Sequence, residues 1–239
     1  MKYKLTEETK SYFGRTLHRI VCVTAFANVA AGEHGGWIEK EENLDQCGNA
    51  WVYGNAIVCD DAKVCDDAKV CDDAKVYDDA KVCDDANVCD DAKVYGNAKV
   101  CDDAKVYGNA KVCGNAKVCG NAWVYDDANV CDDAKVYDDA KVYGNAWVYG
   151  NAKVYGNANV CGNAKVKQTS DYIVLKNCWG SGRYFTYTLS NDKWRVGCFH
   201  GTGEELINKA YSEDELKGKC YEASVKYVQE IMRLIKEAK

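Results

Sequence analysis

Residues 94–105 read Val94-Tyr95-Gly96-Asn97-Ala98-Lys99-Val100-Cys101-Asp102-Asp103-Ala104-Lys105, two copies of one six-residue word. The word runs from Cys47 to Val166 in twenty copies without a single insertion. A period this short and strict is the signature of a β-solenoid, in which each word supplies one short strand and one corner.

Side chains alternate across a short strand, so in Ala98-Lys99-Val100-Cys101 the Ala and Val share one face. A narrow prism can hold Ala and Val in every coil but has no room for the nine tyrosines that share the Cys position. Ala and Val therefore point inward, and Lys, Asn or Trp together with Tyr or Cys point outward. The Gly-Asn and Asp-Asp pairs, ten copies of each, are the corners, because these residues adopt left-handed backbone or cap it locally. The Val-x-x-x-Ala-x spacing matches the hexapeptide rule of left-handed parallel β-helices, which take three words per turn. Cys47, Cys65, Cys83, Cys101 and Cys119 then stack on one edge, about 4.8 Å apart. Tyr107, Tyr125 and Tyr143 stack on a second edge, in a rod of roughly six to seven coils and about 30 Å.

The chain has 239 residues and a formal charge of −6, which argues against a nucleic-acid backbone as the main partner. No apolar run reaches the length of a membrane span, and Met1-Lys2-Tyr3-Lys4 does not start a signal peptide. Of the 15 cysteines, eleven occupy the one position where Tyr fills the other nine words. A position that accepts either residue is not a bridge framework, so the expectation is reduced thiols in the cytosol.

Residues 1–46 lead into the repeat. Leu17 to Val23 reads as a strand, and Phe26, Val29, Trp37, Ile38 and Leu44 are expected to build an irregular first coil that caps the open core. After residue 166 the composition changes. Asp171–Lys176, Arg183–Leu189 and Trp194–Phe199 read as three strands, the last two joined at Ser190-Asn191-Asp192-Lys193. Two helices follow, with capping boxes at Thr202-Gly203-Glu204-Glu205 and Ser212-Glu213-Asp214-Glu215. The final helix carries Tyr221, Val225, Val228, Met232 and Ile235 as an apolar stripe. A part of that stripe, around Tyr221, Val228 and Ile235, is expected to remain free to join copies of the chain.

Gly14-Arg15-Thr16-Leu17-His18-Arg19-Ile20, Gly35-Gly36-Trp37-Ile38-Glu39 with Asn43-Leu44, and the Val-Tyr-Gly-Asn-Ala words together carry a resemblance. The chain resembles the hexapeptide-repeat left-handed β-helix proteins of bacteria and phages that bear a transferase label. The resemblance covers residues 1–166 and implies the fold and a phage connection; the activity it leaves open, because the label rests on shared architecture.

Acyl transfer from acetyl-coenzyme A by enzymes of this architecture uses a histidine general base. The histidines here are His18, His34 and His200, none of them in a repeat word. The Asp-Asp words from 59 to 94 place carboxylates at every corner of two coils, but calcium needs six to eight converging oxygens, so solvated corners are expected. No Cys-x-x-Cys occurs, so the thiols are read as unspecialised. Candidate ligand or partner residues are Trp179, Arg183, Tyr184, Trp194, Arg195 and His200. No catalytic residue, cofactor or metal ligand is assigned.

The expectation is thus a mainly β chain. It has an N-terminal cap (1–46), a left-handed parallel β-helix (47–166) and a small α+β C-terminal module of three strands and two helices (167–239). The expected function is non-catalytic binding or scaffolding of a protein or small-molecule partner. A hexapeptide acyltransferase using acetyl-CoA and a protein that sequesters a small ligand are the alternatives.

Overall fold

The computed structural model describes residues 1–237; the last two residues of the expected C-terminal module lie outside them. The core of the molecule is a parallel β-solenoid of about seven turns. Each word forms a two-residue strand, as at Lys99–Val100, that pairs in parallel with the strands 18 residues before and after it. Three sheets result, one per side of the prism. The inward Ala and Val of every word are fully buried and form one continuous core. Each Val contributes about 1.5–3 kcal/mol of hydrophobic stabilisation.

All twenty corners are in the left-handed backbone region, ten at Gly and ten at the first Asp of a pair. Gly takes φ +70° at position 96 without strain. Asp at such a corner offsets its strain by accepting a hydrogen bond from the next coil. The Gly96 amide donates to Asp78 Oδ2 at 2.9 Å, and the Gly120 amide to Asp102 Oδ2 at 2.8 Å. At the second corner position, Asn amides donate to Asp one coil on, as Asn121 to Asp139 Oδ1 at 3.1 Å. The aspartates are exposed as expected, but they also tie coil to coil.

The outward edge stacks as the 18-residue spacing predicts. Tyr107–Tyr125 and Tyr125–Tyr143 lie parallel at 5.1 and 4.8 Å between ring centroids. Two expectations for the cysteines change. Cys59, Cys83, Cys101 and Cys161 are buried, and Cys59 packs against Leu17 and Trp37 of the N-terminal cap. Cys71 and Cys89 are joined as a disulfide, with Cα atoms 4.6 Å apart. Rung stacking holds equivalent cysteines within the roughly 4.4–6.8 Å that a disulfide spans, so the repeat makes bridges that a list of spacings does not suggest.

Backbone amides of each coil donate to carbonyls of the following coil, as Lys99 N to Ala116 O at 2.9 Å. The solenoid therefore ends in unpaired carbonyls at its start and unpaired amides at its finish. At the start, donors close it on all three sides. Trp37 N donates to Ala56 O, Asn43 Nδ2 to Ala62 O and the buried Lys2 Nζ to Ala50 O, each at 2.9 Å. Trp37 belongs to strand His34–Ile38, which pairs in parallel with the first coil. A Cβ at Gly35 would fall 2.6 Å from both Ile20 Cγ1 and Val52 O, so only glycine lets this strand approach. Val29, Trp37, Ile38 and Leu44 are buried as expected, with Phe26 packed against the same core. The expected strand near residue 17 runs Arg15–Cys22, and the antiparallel strand Tyr3–Tyr12 adds to it.

At the finish, hydroxyl groups accept. Lys153 N donates to Thr169 Oγ1 at 3.2 Å, Asn159 N to Thr186 Oγ1 at 2.8 Å, and Lys165 N to Ser190 Oγ at 2.7 Å. Thr186 belongs to an antiparallel sheet of four strands, Tyr172–Lys176, Tyr184–Thr188, Lys193–Val196 and Phe199–Gly201. The sequence suggested three. Gly197 at φ +55° breaks the expected third strand into two. One face of this sheet, with Tyr172 and Val174, closes the solenoid core; the other, with Phe185, Tyr187, Trp194 and Val196, packs under the helices.

Helix α1 (Gly203–Glu213) begins with the expected capping box, Glu205 N donating to Thr202 Oγ1 at 3.2 Å. Helix α2 (Glu215–Glu237) is capped differently. Ser212 stays inside α1, and Asp214 Oδ1 accepts from Lys217 N at 2.8 Å. The stripe Tyr221, Val225, Val228 and Met232 is consumed by the sheet, with Ile235 beside it. The expected free remainder at Tyr221 and Val228 is therefore covered, and the large apolar residues that α2 exposes are Leu216, Tyr227 and Leu234. Among the described residues no helix is long and apolar enough to cross a membrane.

Candidate functional site

The strand Tyr184–Thr188 crosses the end of the solenoid with Thr186 seated on the Asn159 amide. Two residues earlier in the chain, Tyr184 and its neighbour Arg183 overhang the side of the prism. Below them runs one column of outward side chains, Lys105, Trp123, Lys141 and Asn159, paired coil to coil. The result is a groove of about 970 Å³, lined also by Asp103, Asn121, Asp139 and Asn157 from the corners.

Trp123 is the centre of the groove. The ammonium groups of Lys105 and Lys141 stand 5.0 and 4.8 Å from its ring centroid, one from the coil before and one from the coil after. Each such contact contributes about 0.5–1 kcal/mol at an exposed site. Tyr107 meets the indole edge-on at 6.0 Å. The indole is thereby held between two ammonium groups and a tyrosine ring. Around it the groove mixes cations (Lys105, Lys141, Arg183), carboxylates (Asp103, Asp139) and amides in a nearly balanced field.

The six candidates read from the sequence are divided among three places. Arg183 and Tyr184 line the groove. Arg195 and His200 face each other on adjacent strands, on the side turned to the solenoid. The Arg195 guanidinium lies 5.5 Å from the Tyr143 ring centroid. His200 stands over the Gly162 corner, and desolvation, then Arg195 and Lys193, lower its pKa. Burial and the Cys161 thiol push the Tyr143 phenol well up. Trp194 is 1% exposed, in the core beneath the helices. Trp179 turns to the helix side, edge-on to Phe185 and Tyr221 at 6.0 and 6.4 Å.

The sequence reading passed over Trp123, Lys105 and Lys141 as ordinary outward positions. One signal was present: Trp replaces the usual Lys at 51, 123 and 147. The first of these is buried under the N-terminal cap and the third is exposed on another side.

No protein-family model matches the chain. Over 60 residues it is 37% identical to the "Uncharacterized acetyltransferase YdcK" of Escherichia coli (strain K12). That stretch is 22% of this chain and 18% of the relative, so the match spans less than a fifth of that protein's length. Of the three histidines, none lines the groove.

Proposed function

We propose that this protein is a non-catalytic binding and scaffolding protein that holds its ligand in the groove over Trp123. The observation that carries the reading is the composition of the groove: an indole flanked by two ammonium groups and ringed by amides and carboxylates. Convergent donors and acceptors beside an indole edge suit a polyhydroxylated ligand such as a saccharide. The groove offers no imidazole to take a proton. The solenoid serves as the rigid wall, and the C-terminal sheet supplies the non-repeated residues. Self-association through α2, where it contributes, runs through Leu216, Tyr227 and Leu234 rather than the covered stripe.

The test is a glycan array with the full chain, followed by titration of indole fluorescence. Binding that is lost in Trp123→Ala and weakened in Arg183→Ala, with unchanged melting, is the expected result. The second reading, an acyltransferase, draws support from the acetyltransferase name of the relative. It predicts that acetyl-CoA binds and that acetyl transfer to a hydroxyl or amine acceptor falls in Trp123→Ala. Such turnover would replace the binding reading.

A further inference from the structure

The eleven repeat cysteines are unevenly spread among the edges of the solenoid. One edge carries Cys47, Cys65, Cys83, Cys101 and Cys119 on five successive coils before Tyr137 and Tyr155 take over. On the same side every outward strand residue of the adjoining sheet is lysine: Lys63, Lys81, Lys99, Lys117, Lys135 and Lys153. Two donor groups recur along this edge. The Cys65 and Cys83 sulfurs with an Asp66 carboxylate oxygen lie within 4.8 Å of one another, and so do those of Cys101, Cys119 and Asp102.

We propose that this edge binds soft monovalent metal ions, Cu(I) or Ag(I), one between Cys65 and Cys83 and one between Cys101 and Cys119. A metal–thiolate bond is about 2.3 Å, so two in line span about 4.6 Å. That is close to the strand spacing of about 4.8 Å at which the solenoid stacks equivalent thiols. Soft thiolate donors select such ions. A tetrahedral zinc site needs four donors, and each group offers three. The carboxylate beside each pair adds the local negative potential that draws a cation in.

Binding replaces two S–H bonds by two metal–sulfur bonds and releases two protons to solvent. The bis-thiolate unit left behind carries one negative charge. Lys81 and Lys99, which already act electrostatically on Cys65 and Cys83, stand where they offset it. The equivalent group Cys71, Asp72 and Cys89 is closed by its disulfide. Cys113 and Cys131 stack in the same way but have Gly114 at the corner in place of a carboxylate.

The experiment titrates the full chain with Cu(I) under nitrogen, in competition with bicinchoninate, and counts bound ions by native mass spectrometry. The double variant Cys83→Ser/Cys101→Ser should lose two ions per chain and the matching proton release. The variant Cys178→Ser/Cys198→Ser, which removes two exposed thiols elsewhere, should lose none. Circular dichroism of both variants confirms that the solenoid is intact. Equal uptake by the first variant, or an equal loss in the second, would mean nonspecific thiol binding and overturn the proposal. So would protein prepared under nitrogen with Cys65 already bridged to Cys83.

Discussion

At the scale of single residues, the inward and outward positions of a word differ most in what they tolerate. Val100 is fully buried among apolar neighbours and Lys99 is half-exposed on the outer face. Val100→Asp strands a charge in a core without a partner and should cost several kcal/mol, whereas Lys99→Ala should stay within about 0.5 kcal/mol. Comparable melting temperatures for the two would reverse the assignment of faces. The thiols divide by cover. Cys47, Cys178 and Cys198 are exposed and should react quickly with a thiol reagent in the native protein. Cys59, Cys83, Cys101 and Cys161 should react only after unfolding, which mass mapping of the labelled peptides will show. His200 adds a pH response. Its folded pKa lies below the ordinary 6.5, so the unfolded chain binds the extra proton first. Stability is full above about 6.5 and falls as the pH drops through the folded value. Melting of His200→Asn should show a weaker fall between neutral and mildly acidic pH than melting of the parent chain.

At the scale of elements, the polarity of the ladder dictates the chemistry of each cap. Carbonyls face the start, so the cap there brings backbone amides, the Asn43 side chain and the Lys2 ammonium. Amides face the finish, so the cap there brings Thr169, Thr186 and Ser190 hydroxyls. Thr186→Val keeps the shape and removes the acceptor for the Asn159 amide. Leaving that amide unpaired should cost about 1–3 kcal/mol. Hydrogen exchange at Asn159 should accelerate, while the middle coils stay protected. Unchanged exchange at Asn159 would show that water or another group serves equally well.

At the scale of the whole molecule, the C-terminal sheet does two things at once: it closes the ladder and builds one wall of the groove. Removing residues 167–239 should therefore leave a rod with a bare final coil, which recruits strands from other rods. Size-exclusion chromatography with light scattering should show concentration-dependent assembly, and the Trp123 ligand should no longer be retained. A monomeric truncated rod that keeps the ligand would place recognition in the coils by themselves.

The repeat was legible because its information is local. Alternation at Ala98-Lys99-Val100 decides which side chain faces in, and Gly or Asp at each corner decides where the backbone turns. The Tyr107–Tyr125–Tyr143 stack follows from the 18-residue turn by arithmetic. The burial of Cys59 and the joining of Cys71 to Cys89 do not, since the first depends on how the N-terminal cap docks and the second on which of several equivalent stacked pairs closes. The groove was less legible still. Arg183 and Tyr184 were chosen from the sequence, but Trp123 lies sixty residues earlier in the chain. Only the seating of Thr186 on the last coil brings them together, and no pattern along the chain encodes that docking.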